Sequence, residues 1–380
     1  MMELYIHIPF CLQKCRYCDF ASYAGMQAYM DSYIDDLLME CDQQLDALGD
    51  TYIKTVYIGG GTPSILPDNL FDKLLNGISR RFHFLAQCEW TVEANPGTLT
   101  QEWLSIAASY GVNRLSMGMQ AAQPELLKTL GRIHSFSDVE HSVSLAKSCG
   151  FQNISLDLMF GLPGQNLSMW TESLQAALSL SPSHLSCYGL IPENGTALKA
   201  DLDAGRLFLP EEEAEREMYD TALQILQNAG FIQYEISNFA LHGCPCYHNI
   251  GYWRQEYYLG LGASAASMLP SPGTAYIRKT NPSLLHDYHC MVRNGITAEC
   301  QSISRNDAMF ESLMLGLRMT DGVHEDAFFA MHGISLDAYR GNALRREIKK
   351  GLLVYENGAY RLTRRGMDIQ NSILVDLMDP

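Results

Sequence analysis

The run Tyr5-Ile-His-Ile-Pro-Phe-Cys11-Leu-Gln-Lys-Cys15-Arg-Tyr-Cys18 places three thiols within eight residues, just past a short apolar stretch with strand character. Strand ends are where parallel α/β folds gather their functional groups. Three thiolates can hold three irons of a cubane and leave the fourth without a protein ligand, whereas ordinary electron-carrier clusters use four cysteines. An iron left open in this way can bind a small molecule. The competing arrangement is a zinc site, with Cys15 and Cys18 as one knuckle completed by Cys244, Cys246 or His248. It leaves Cys11 without a role, and a domain with a large core seldom needs a structural zinc.

Outward from this loop, strand candidates recur at residues 4–8, 55–58, 90–93, 114–117, 154–159 and 184–188, separated by amphipathic helical patterns at 29–48, 67–81, 101–110, 137–148 and 168–180. Repeated strand-helix order predicts a parallel α/β structure, here a partial (β/α)6 barrel of the TIM type over residues 1–235. An open doubly wound sheet has the same local pattern. Residues 236–303 are rich in Tyr, Gly, His and Asn without clean periodicity and read as an irregular connecting region. Residues 304–380 read as a small helical or winged-helix-like domain: a helix at 336–350, the turn Glu356-Asn-Gly-Ala between two short strands, and a final helix at 365–377.

The chain has 380 residues, 47% of them hydrophobic, enough for one large core plus a smaller one. Its net charge of −16, from 43 acidic against 27 basic residues, argues against broad electrostatic binding to nucleic acid or anionic lipid. The C-terminal cations Arg345, Arg346, Lys349, Lys350, Arg364 and Arg365 can contact phosphates, but basic residues near a helix end are ordinary surface choices. The N-terminal residues show no charged segment leading into a long apolar one, and no apolar stretch approaches the roughly 20 residues of a membrane span. The expectation is a cytoplasmic protein without a transmembrane segment. Eleven cysteines in such a chain read as reduced thiols or metal ligands, and the scattered ones as small core residues.

Later motifs follow the strand candidates one by one. Gly59-Gly60-Gly61-Thr62-Pro63 comes after the second, Glu93-Ala-Asn-Pro96 ends the third, Gln120 lies past the fourth with Arg132 beyond it, and Asp157 sits in the fifth. Each alone has a plain explanation: a turn, a solvated strand end, a surface cation, a loop cap. The C-x3-C-x2-C spacing, framed by Tyr5, His7, Pro9 and Tyr17, resembles the radical-SAM signature. The wider set resembles the coproporphyrinogen III oxidase-like subgroup of that superfamily across most of the chain. The resemblance implies a [4Fe-4S] cluster on Cys11, Cys15 and Cys18, with S-adenosylmethionine (SAM) chelated at the open iron and cleavable to a 5′-deoxyadenosyl radical. It further implies that Glu93, Gln120, Arg132 and Asp157 hold the amino, carboxylate and ribose groups of SAM. Gly60, Gly61 and Thr62 would meet its methionine amino group, Tyr5 and Tyr17 would flank the site, and Ala266 would reach adenine through its backbone.

Within the subgroup, the oxidase carries a further cysteine two positions after the third cluster cysteine, where this chain has Phe20. Cys18-Asp-Phe20 together with His248-Asn-Ile-Gly-Tyr252-Trp253 is similar instead to the heme-chaperone branch, which carries an H-N-x-x-Y-W motif. That resemblance implies heme bound through His248, an aromatic wall from Tyr252, Trp253, Tyr257 and Tyr258, and transfer to heme-accepting apoproteins in respiration. It assigns no catalytic residue, and it is compatible with a homodimer. The branch often has a histidine near position 266, and this chain has none. The alternative activity is oxygen-independent oxidation of coproporphyrinogen III, and a third reading makes residues 336–380 a nucleic-acid-binding module.

Overall fold

In the structure, a computed structural model that describes residues 1–49, 51–295 and 298–378, the six apolar runs become six adjacent parallel strands. These are β1 (Met2–Ile8), β2 (Tyr52–Gly60), β3 (His83–Ala94), β4 (Arg114–Gln120), β5 (Asn153–Phe160) and β6 (His184–Gly189), paired in chain order. The outer face of barrel strands needs helical cover, and the helices α1 (Met30–Leu48), α2 (Asp68–Arg81), α3 (Gln101–Ser109), α4 (Phe136–Ser148) and α5 (Leu167–Ser179) supply it from the intervening segments. Local chemistry sets their starts. The Thr100 side chain accepts from the Trp103 amide, and Ser135 and Asp138 form a reciprocal capping box.

The apolar stripe of α2 packs on α3, where Phe71 stacks on Trp103 with centroids 4.1 Å apart and planes 7° from parallel. Both side chains are fully enclosed. Trp103→Ala opens a cavity the size of an indole between two helices, so we expect it to destabilise the fold by about 3–5 kcal/mol. The check is the urea midpoint of the variant, and an unchanged midpoint would show that this layer contributes little.

The described residues of 236–303, expected to be irregular, instead contribute helices and short strands, and the strands are continuous with the same sheet. β7 (Asn238–Ala240) pairs antiparallel with β6, while β8 (Tyr258–Leu261) pairs parallel with β1 at the opposite edge. From β8 the sheet continues antiparallel through β9 (Ala266–Leu269), β10 (Tyr276–Thr280) and β11 (Glu299–Ile303). Strands this short leave no periodicity to detect, and their pairing with a barrel edge depends on long-range contacts. A boundary at residue 235 therefore runs through one twelve-stranded, mixed sheet rather than between two units.

The C-terminal segment has its own core, including Leu313, Phe328, Leu344, Leu353 and Leu377. The Asn357-Gly358 turn, with φ of 51° and 77°, joins strands Leu353–Glu356 and Ala359–Leu362, as a hairpin with two left-handed central residues requires. The final helix, expected unbroken, is interrupted at Ile369 into Arg364–Asp368 and Gln370–Met378. Ile373 and Leu377 still bury their side chains, which is why the apolar period survives the break. The basic set is locally offset: Arg345 pairs with Asp337, Lys350 with Glu347 and Asp376, and Arg364 with Asp220 and Asp368. Such pairs add little stability, but they remove much of the positive field a phosphate would need. Among the described residues no helix is long and apolar enough to cross a membrane.

Candidate cluster and cofactor site

The C-terminal ends of the barrel strands open onto a cavity of about 370 Å³. Cys11, Cys15, Tyr17, Cys18, Gly60, Gly61, Thr62, Glu93, Gln120, Arg132 and Asp157 all line it, so most of the set anticipated from sequence converges. The cysteine loop is held from behind. His7 Nε2 donates to the Ala21 carbonyl at 2.9 Å, which leaves Nδ1 to accept from the Tyr5 hydroxyl, also at 2.9 Å. The Arg16 amide reaches Leu130 O at 2.9 Å and the Tyr23 amide Pro9 O at 2.7 Å.

The thiols carry donors suited to thiolates. Thr62 Oγ1 lies 3.6 Å from Cys11 Sγ, and Arg132 Nη1 lies 3.4 Å from Cys15 Sγ. Burial raises the Cys11 and Cys18 thiols above their ordinary range, so a bound cation is what would hold them deprotonated. Among the described residues no three His, Cys, Asp or Glu groups meet closely enough to hold a single ion. Three thiols spread along a loop suit a cubane, whose irons each take one ligand. The proposed zinc partners Cys246 and His248 lie against Glu89 and do not line the cavity.

The glycine run is a steric requirement. A Cβ on Gly60, whose φ is +104°, would stand 2.3 Å from the His7 ring, and one on Gly59 2.7 Å from the Glu93 carboxyl. Glu93 accepts from the Tyr57 hydroxyl at 2.8 Å and from the Gly60 amide at 3.0 Å. Burial still pushes its carboxyl up to about 7, against the pull of those two donors. Arg132 Nη2 donates to Asn95 Oδ1 and Gly118 O, both at 2.8 Å, while its Nε is buried without a partner. A guanidinium held this way has a donor left for a carboxylate. Asp157, raised by burial, has Ser116 at 3.3 Å and Ser155 at 3.5 Å. Gln120 adopts φ of 65°, uncommon for a residue with a Cβ, at the end of β4.

Three expected residues lie elsewhere. Tyr5 sits behind the cavity as the anchor of His7, Ala266 lies in the β8–β9 hairpin, and neither lines the cavity. His248 is 1% exposed, with Nδ1 2.8 Å from Thr55 Oγ1 and Nε2 2.9 Å from the Tyr252 hydroxyl. Its ring stacks on Tyr57 at 5.2 Å, and burial pushes its pKa down to about 3. The motif reaches the cavity through Asn249 instead. Sequence reasoning also passed over Tyr57, Arg114, Ser116, His184 and Ser186, which line the cavity wall. The available signal was a charged residue, Arg114, opening a strand that is buried along almost its whole length.

The radical SAM superfamily model matches residues 5–177, and the HemN C-terminal domain model matches residues 303–369. The heme chaperone HemW of Bacillus subtilis is 38% identical over 375 residues, spanning 98% of each chain. The chain belongs to the HemW family. HemW of Escherichia coli is 34% identical over 374 residues, covering 98% of this chain and 97% of the relative. A mouse relative, the mitochondrial radical S-adenosyl methionine domain-containing protein 1, is 32% identical over 384 residues, covering 99% of this chain and 87% of its own. The Escherichia coli coproporphyrinogen III oxidase, described as a radical SAM enzyme, superposes with a TM-score of 0.84 at 21% identity, over 99% of this chain and 89% of that one. The HemW family member described here therefore shares that fold, a radical-SAM barrel followed by a HemN-type C-terminal domain. A radical-SAM domain implies a [4Fe-4S] cluster and SAM, and the residues lining the cavity fit both.

Proposed function

We propose that the chain is a heme carrier built on a radical-SAM scaffold: it holds a [4Fe-4S] cluster through Cys11, Cys15 and Cys18, binds SAM beside it, binds heme and passes it to apoproteins. Relatives that bear the name heme chaperone along their whole length support the reading. The observation that carries it against the oxidase is Phe20, which stands 62% exposed at the cavity rim, where the oxidase pattern has a thiol. A phenyl ring can neither donate nor accept a proton there. Respiratory acceptors, a cytoplasmic setting and self-association belong to the same proposal; the acceptors follow from the branch resemblance, the setting from the N-terminal pattern and cysteine usage.

When bound, the cluster supplies an electron able to cleave the SAM sulfonium. The chain's own residues do the rest: Glu93 and Asp157 accept from ammonium and hydroxyl groups, Arg132 donates to a carboxylate, and the glycine run lets the backbone come close. As folded, His248 has no nitrogen left for iron, so ligation there requires that Thr55 or Tyr252 release it.

The test pairs an anaerobic heme titration of cluster-loaded protein, followed by the Soret band, with an assay for decarboxylated porphyrinogen in the presence of SAM and a reductant. Saturable heme binding without turnover is the expected result. Sustained product formation would put the oxidase in its place, and failure to bind heme would remove the carrier reading.

A further inference from the structure

A second cavity, about 780 Å³, opens between the antiparallel strands β9–β11 and the C-terminal domain. Its volume is within the roughly 300–1,000 Å³ common for cofactor clefts. The floor is apolar: Met268, Tyr276, Ile303 and Ala308 form a small buried cluster of their own. On the C-terminal side, Met331 and His332 end the helix Glu325–His332 and line the same space. Met331 is 52% exposed, an accessible soft thioether, whereas the His332 ring is mostly buried.

The hydrogen-bond network sets the His332 tautomer. Gln255 Nε2 donates to the Ala308 carbonyl at 3.1 Å, which can only accept, so Gln255 Oε1 faces Ser312. The single hydroxyl hydrogen of Ser312 has Gln255 Oε1, Ala308 O and Met331 Sδ as acceptors. Toward His332 Nε2, at 2.7 Å, Ser312 Oγ is therefore the acceptor. The imidazole carries its proton on Nε2 and keeps its lone pair on Nδ1, to which no described residue bonds. A hydrogen bond on the far nitrogen is the arrangement that orients a histidine toward a metal. His248 is the opposite case, since both of its nitrogens are already engaged.

Burial and the neighbouring Arg305 lower the His332 pKa, so the ring is neutral near pH 7, as a metal ligand must be. Arg305 lines the cleft, donates to the His332 carbonyl and is exposed, placing a cation where an anionic edge would emerge in a chain of net charge −16. An apolar floor, a neutral imidazole beside a thioether, and a guanidinium at the rim together match an amphipathic metallotetrapyrrole with carboxylate side chains.

We infer that heme docks in the cleft between strands β9–β11 and the C-terminal domain, with His332 or its neighbour Met331 facing the iron and Arg305 meeting a propionate. The inference rests on the heme-carrier reading and names where that cargo sits. Its test is an anaerobic heme titration of the full, cluster-loaded chain and of three variants, read by Soret position, electron paramagnetic resonance of the ferric form and affinity.

His332→Gln keeps a donor for Ser312 while removing the imidazole, and exposed Met331→Ala leaves the fold alone. At least one should shift the ligand-field spectrum and weaken binding about tenfold or more, while His248→Ala leaves the spectrum unchanged. Wild-type spectra and affinity in both cleft variants overturn the inference and leave the carrier reading standing, as does a ligand-field change that follows His248 alone. No saturable binding by the wild type removes the carrier reading, and this site with it.

Discussion

Alanine at any one of Cys11, Cys15 or Cys18 leaves anaerobically reconstituted protein with iron and acid-labile sulfide near background and without the visible absorption of a cluster. Each thiol is the only protein ligand its iron would have, and with the fourth iron already open, the loss of one more leaves a cubane held by two. The thiols at positions 11 and 18 are raised by burial, so the metal and the surrounding donors must together keep the set deprotonated. Thr62 and Arg132 approach Cys11 and Cys15 but cannot replace them. The substitutions should spare the fold, because all three cysteines are only partly buried and lie outside the main core. Cys41 and Cys187, buried within that core, provide the comparison. Their alanine variants should lose some stability and keep the full cluster. A loop variant that retained wild-type iron and sulfide would remove that cysteine from the ligand set.

SAM affinity should rise as pH is raised through about 7, and Glu93→Gln should remove the part of that dependence centred there while weakening binding. Burial holds the free carboxyl near 7, well above its usual 4.5. The form that accepts from an ammonium is the anion, so below pH 7 binding must first expel a proton and weakens by up to about tenfold per pH unit. Above 7 the carboxylate is already formed, and what pH dependence remains belongs to the SAM amino group, which titrates at about 8. A charge-assisted hydrogen bond of about 1.5–3 kcal/mol corresponds to roughly 10–100-fold in affinity. Calorimetric titration from about pH 5.5 to 8.5 would measure both effects. A flat wild-type profile, or wild-type affinity in the Glu93→Gln variant, would place the ammonium elsewhere.

Much of this site was legible in the chain itself. The cysteine spacing, the glycine run and the acids at strand ends are properties of single strand-loop segments, and a regular strand-helix repeat brings successive strand ends to one rim. Tyr5 shows the limit of that reasoning, since it belongs to the motif yet acts through His7 from behind. His248 shows it more sharply. A histidine in a Tyr- and Trp-rich motif reads as an iron ligand, but whether its nitrogens are free depends on Thr55 and Tyr252, and Thr55 is far from it in the chain.

The parallel strand-helix order, the three-thiol loop and the small C-terminal domain are legible in the chain alone, because each depends on short-range periodicity or on the spacing of a few neighbouring residues, whereas closure into a barrel rather than an open sheet is not. Tertiary contacts are what make the strands between 238 and 303 extend the barrel's sheet, set Arg114 and His184 in the cavity wall, and leave His332 but not His248 a free lone pair. Those outcomes turn on strand pairing and on which polar groups meet across long stretches of chain. Strands of three to five residues and single hydrogen-bond partners leave no periodic trace in sequence.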